Sequence, residues 1–209
     1  METPIPNPPS DAPAPLAAAL LPVLLHRVNN TTQLVTSLNA VLAQGGASRQ
    51  ASCGAGLAEA ARESDELGWA LGVIACGLGA DLLLARHERA GLRPLLALVR
   101  GALRREGRDA LLPERLPDLE PLGGEGWHTA WAVSELVWLA GSSLPRGMAL
   151  RFELESEAGV HVLRADHGAA APLVEAGQKI ERELAGARFA CQGEAWSLTL
   201  PGPWMRPAP

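Results

Sequence analysis

At 209 residues the chain is long enough for one compact domain or two small ones, each with its own core. Its 47% hydrophobic and 20% charged residues read as a soluble globular protein, which excludes wholesale disorder, a collagen-like repeat and a coiled-coil rod. A net charge of −5, with 18 basic residues against 23 acidic ones and Lys179 the only lysine, excludes the clustered cations that nucleic acid requires and disfavours an anionic membrane surface.

Six of the 17 prolines fall in the first 15 residues and four in the last nine, so extended tails are expected at 1–15 and 202–209. The apolar run Leu16–Leu25 is short, contains Pro22 and lacks a preceding basic segment. It predicts neither a signal peptide nor a membrane span. Cys53, Cys76 and Cys191 are odd in number and widely spaced, which fits reduced thiols in the cytoplasm better than a disulfide framework or a paired metal site.

From Leu16 to Gln44, apolar spacing at Leu24, Val28, Thr31, Val35, Leu38 and Leu42 predicts a helix with a heptad seam. Gly45 and Gly46 stop it, and a small-residue loop is expected through Gly54. A second heptad helix follows on Leu57, Ala60, Ser64, Leu67, Leu71, Ile74 and Leu78. The two form an antiparallel hairpin over 16–89, with a half-covered seam that a second copy would close into a four-helix bundle. Gly68, Gly72, Gly77 and Gly79 each cost that helix up to ~1 kcal/mol against alanine, which suits close helix approach in such a bundle.

The region 90–201 reads as an α/β sandwich with one sheet covered by helices on one face. Helices are expected at Leu92–Arg105, Trp127–Ala140 and Pro172–Ala185, with a Pro-rich stretch from Pro113 to Pro121. Period-two alternation from Met148 to Glu155 and the run Val160–Leu163 predict a strand pair, and Arg188–Cys191 with Ala195–Leu200 a closing hairpin. The fold class is therefore α+β, a long helical hairpin followed by a small sandwich. The Trp127, Trp131 and Trp138 stripe is better explained by packing than by docking, since the chain has no Tyr and two Phe. His87, His128, His161 and His167 lack metal-ligand spacing.

The segment His26-Arg27-Val28-Asn29-Asn30-Thr31-Thr32-Gln33 carries the most chemistry. With Leu24 and Val28 on the seam, His26 faces outward, and Asn30 and Gln33 follow it on the same face. A solvated neutral imidazole is a competent nucleophile toward phosphorus. A plain surface histidine fits the same pattern, and Asn29, Asn30 and Gln33 fit simple solvation of an exposed face equally well.

These residues resemble the phosphoacceptor box of histidine-kinase dimerisation and phosphotransfer domains, in the subgroup beginning His-Arg-Val and continuing with Asn and Gln. The match covers His26, Arg27, Val28, Asn30 and Gln33. The resemblance implies that His26 is the phosphoacceptor and that Asn30 stands where family members carry the residue linked to phosphatase action on a partner regulator.

The rest of the chain resembles the kinase-type ATP-binding domain, with departures. The family's metal-binding Asn falls on Leu139, which cannot coordinate a hard cation, and the basic residue three places later is Ser142. Asp166-His167-Gly168-Ala169-Ala170 stands at the adenine loop and keeps only Asp166 and Gly168, a pair that a strand-ending turn explains as well. The short span to Ala187 leaves no second glycine-rich loop for phosphates. Phosphoryl transfer from ATP depends on positioning and metal-borne charge neutralisation.

The expectation is thus a cytoplasmic, homodimeric histidine phosphotransfer protein that binds no cofactor itself and exchanges a phosphoryl group with a response-regulator receiver domain, whose own Mg²⁺ assists. Two rivals remain. One is a divergent ATP-dependent histidine kinase; the other is a non-catalytic adaptor that holds a receiver without chemistry.

Overall fold

The structure is a computed structural model that describes residues 15–79, 92–114, 116, 118–119, 124–157, 160–201 and 205–206. Helix α1 runs Leu16–Ala43 and α2 runs Ala47–Gly77. On α1, Leu16, Leu20, Leu24 and Thr31 are buried at helical spacing, and the Thr31 hydroxyl donates to the Arg27 carbonyl instead of lying orphaned. The two helices run antiparallel. Leu38 packs over Gly56, where an added Cβ would meet its side chain, and Arg27 reaches Glu63 and Glu66.

The loop expected through Gly54 is absent. Gln44, Gly45 and Gly46 make the whole connection, and Gly45 and Gly46 at φ +72° and +109° take the backbone conformation that L side chains disfavour. Beyond them nothing stops a helix. Gly54 weakens α2 by up to ~1 kcal/mol without breaking it.

The glycines at the far end of α2 also have local reasons. A Cβ on Gly77 would enter the ring of Trp131, and Gly79 turns the chain at φ +76° while its N–H donates to the Cys76 carbonyl. For these two, the close approach is to the chain's own next helices. His87 and the 89/90 boundary lie outside the described residues.

Helix α3, Leu92–Arg105, buries Leu92, Leu95, Leu96, Val99 and Leu103. Strand β1, Asp109–Leu111, follows, and β2 is Asp118–Leu119, both within or beside a stretch expected to be irregular. Arg100 and Arg104 close on the Asp109 carboxylate at 2.7 and 2.9 Å, which holds that carboxyl far below its ordinary range and ties the end of α3 to β1.

Helix α4, Gly124–Ser143, precedes β3, Ala149–Arg151, and β4, Glu153–Glu157. The alternation from Met148 therefore spans two strands. β3 pairs in parallel with β1, while β4 pairs antiparallel with β5, Val160–Ala165. The break falls at Phe152, whose side chain is buried.

After α5, Ala171–Glu183, come β6, Arg188–Gln192, and β7, Ala195–Pro201. The four-stranded sheet has the order β4-β5-β7-β6, antiparallel throughout. Its inward row includes Leu154, His161, Leu163, Leu198 and Leu200, and its outward row carries Arg164 between Glu153 and Glu155. Among the described residues the expected single sheet is three: this one, the β1–β3 pair, and β2 with β8, Met205–Arg206. Residues 205–206, expected in an extended tail, thus return to pair with 118–119.

One contiguous core joins all of this. Leu20 and Leu24 of α1, Trp69 and Val73 of α2, and the inner faces of α3 and α4 belong to the same buried cluster as Leu163 and Leu198. Trp69 and Trp127 pack with ring centroids 4.3 Å apart and planes tilted by 53°, and Trp138 is fully buried, in keeping with a packing role for the tryptophans. Among the described residues, no helix is long and apolar enough to cross a membrane.

Candidate functional site

The middle of α1 has three faces. The buried stripe through Leu20, Leu24 and Thr31 lies on the core, and an exposed apolar stripe runs through Leu21, Leu25 and Val28. At 100° per residue, His26 stands on the order of 120° from each. The imidazole is exposed, as are Asn29, Asn30 and Gln33.

The carboxamide nitrogen of Asn30 lies 3.3 Å from Nε2 of His26, one turn along the helix. Where that contact is a donated hydrogen bond, the ring carries its proton on Nδ1 and its Nε2 lone pair is taken up by the Asn30 carboxamide. Gln33 continues the same exposed face one turn further. His26, Asn30 and Gln33 are therefore together.

Arg27 is not part of that cluster. Its guanidinium turns across the hairpin to Glu63 at 3.1 Å and Glu66 at 3.4 Å, with the side chains about three-quarters covered or more. Glu66 also takes Arg62 at 2.6 Å, and Arg62 in turn holds Glu59, whose carboxyl it shifts below its ordinary value. The result is an ionic ladder along one side of the two helices, next to His26 but directed away from it.

The other candidate positions lie elsewhere. Leu139 is half-buried on α4 and packs against the core, and Ser142 donates to the Leu139 carbonyl at 3.2 Å. Asp166 is exposed just after β5. Gly168, at φ +93°, presses on α4 so closely that a Cβ would stand 2.8 Å from the Ala140 carbonyl oxygen. The Ser143 hydroxyl donates to the Gly168 carbonyl at 3.2 Å, and Trp196 Nε1 donates to that of His167 at 3.1 Å. Asp166–Gly168 is a turn fastened to the end of α4. Among the described residues, no three of His, Cys, Asp and Glu gather closely enough to hold a metal ion.

Two features went unread in the sequence. Glu63 and Glu66, which occupy Arg27, require the helix register to be known. The Cys76–His128 contact joins residues 52 apart through the packing of α2 on α4.

No family model matches the chain, and no curated protein does. Among solved structures it is similar to the Acinetobacter baumannii histidine kinase AdeS, with 10% identity and a TM-score of 0.34, over 84% of this chain and 97% of that one. At that identity and score, nothing about function passes from that protein to this one.

Proposed function

We propose that the chain is a histidine phosphotransfer protein of a two-component phosphorelay, exchanging a phosphoryl group between His26 and an aspartate of a response-regulator receiver domain. The observation that carries this reading is the exposed His26 imidazole on a long helix, with Asn30 on Nε2 and the exposed Leu21, Leu25 and Val28 stripe on another face. The Nε2 lone pair would attack the phosphorus of an aspartyl phosphate, and the carboxylate would leave with the bonding pair. Mg²⁺ would enter with the receiver. Asn30 must release Nε2 for attack, so its part is to fix the tautomer beforehand.

The exposed stripe Leu21, Leu25 and Val28 supports a homodimer through the hairpin. A twin laid on that stripe leaves His26 open to a visitor. Against ATP as donor stand Leu139, apolar where a metal ligand is needed, and the Gly168 turn, packed onto α4 without room for a side chain.

The test offers the full chain radiolabelled Mg²⁺-ATP in one tube and receiver domains charged by labelled acetyl phosphate in another. Acid-labile label on His26 from the receivers, none from ATP, and none in His26→Gln is the expected result. Label from ATP would make the protein a kinase. Receiver binding without label would make it an adaptor.

A further inference from the structure

The end of α2 meets α4 and α5 around a cavity of about 450 Å³. Trp131, Ile180 and Leu184 give it apolar walls, while Glu135, Lys179 and Glu183 line it as charged side chains; burial hinders the ionisation of Glu135, Lys179 favours it and Glu183 opposes it. Cys76 and His128 line the same space. The Cys76 sulfur is 3.5 Å from Nδ1 and 3.6 Å from Nε2 of His128, so a small ring rotation brings either nitrogen onto the thiol. Cys76 is half-buried at the end of its helix, and His128 is exposed near the start of α4. The other two thiols meet backbone carbonyls instead: Cys53 that of Leu38, Cys191 that of Gly193.

We propose that Cys76 and His128 form a nucleophilic thiol–imidazole pair, which makes this cavity a covalent modification site for a small, largely apolar α,β-unsaturated carbonyl compound. The imidazole accepts the thiol proton, and the thiolate adds to the β-carbon. A C–S bond forms while the C=C π pair moves to the α-carbon, which takes the proton back from the imidazolium. No atom leaves, and no oxidant or reductant enters. The apolar walls give room for a small, largely apolar body, and a soft thiolate prefers a conjugated carbon. The backbone at Gly77 already abuts Trp131, so an adduct on Cys76 has the cavity as its place. This site goes beyond the phosphotransfer reading and does not depend on it.

The experiment treats the full chain with N-ethylmaleimide between pH 6.5 and 8.5 and follows each cysteine peptide by mass spectrometry. Cys191 is the internal reference, since it is more exposed and has no imidazole contact among the described residues. Proton transfer to the imidazole raises the thiolate share, and lower nucleophilicity offsets only part of that gain, so Cys76 should react about threefold faster than Cys191 at pH 6.5. The ratio should fall as pH rises, because the pair's advantage lies where an unassisted thiol is still protonated. His128→Gln should bring Cys76 to the Cys191 rate or below. The proposal is overturned if wild-type Cys76 is no faster than Cys191 at pH 6.5, if the ratio is flat with pH, or if His128→Gln leaves the Cys76 rate unchanged.

Discussion

Asn30 sits one turn after His26 on α1, with its carboxamide nitrogen 3.3 Å from the ring's Nε2. A hydrogen bond donated there favours the tautomer protonated on Nδ1. Asn30→Ala removes that preference without touching the core, because the residue is exposed. Nitrogen NMR of His26 should then move toward the Nε2–H form, and phosphoryl transfer from a charged receiver should slow. A tautomer ratio identical in wild type and Asn30→Ala would mean that the two side chains do not engage in solution.

Arg27 tests whether a residue of the box acts on chemistry or on structure. Its ion pairs with Glu63 and Glu66 are partly covered and charge-assisted, so they exceed the usual surface pair. Arg27→Ala should lower stability by about 1 kcal/mol, read as a shift of the urea midpoint at constant slope. Label acceptance at His26 should persist. Loss of transfer in a variant of wild-type stability would return Arg27 to the reacting site.

Two glycines of the same helix should respond with opposite signs. Gly54 is exposed with nothing within 4 Å of a built Cβ, so Gly54→Ala should stabilise by roughly 0.5–1 kcal/mol through helix propensity alone. At Gly77 the same gain meets the Trp131 ring, and overpacking of that kind costs about 1–3 kcal/mol. Gly77→Ala should therefore destabilise. Equal effects at the two sites would show that α2 does not lie against α4 as described.

Much of this was legible because helical and strand periods differ. The apolar spacing from Leu24 to Leu42 marks α1 as a helix, although Leu24 and Thr31 face the core while Val28 lies on the exposed stripe; the stripe on Leu92–Leu103 marks α3, and heptad phase places His26 outward. What stayed hidden depends on partners distant in sequence. Phe152 divides two strands because Asp109–Leu111 claims one and Val160–Ala165 the other, and neither pairing is written in the alternation. Reading Gly54 as a loop residue hid more. With the turn centred on Gly45, residue 27 falls opposite 63, and the ion pairs follow; a loop extended to Gly54 displaces that register.

His161 makes the fold sensitive to mild acid. It lies on β5, in the inward row with Leu163 and Ala165, and is only 2% exposed. Burial lowers its pKa below the ordinary 6.5, since the charged ring would have to be desolvated. In the unfolded chain the ring titrates normally. As pH falls through 6.5 the unfolded state binds a proton that the folded state resists, so stability is full above that value and declines below it. The loss is bounded by about 1.4 kcal/mol at pH 5.5. Glu135 acts in the opposite direction: burial raises its pKa above the ordinary value, so its folded form takes up a proton first as pH falls. The urea midpoint should therefore fall further from pH 7.5 to pH 5.5 in the wild type than in His161→Leu, whatever the variant's absolute stability. Equal changes in the two proteins would mean that this imidazole accepts its proton inside the folded sheet.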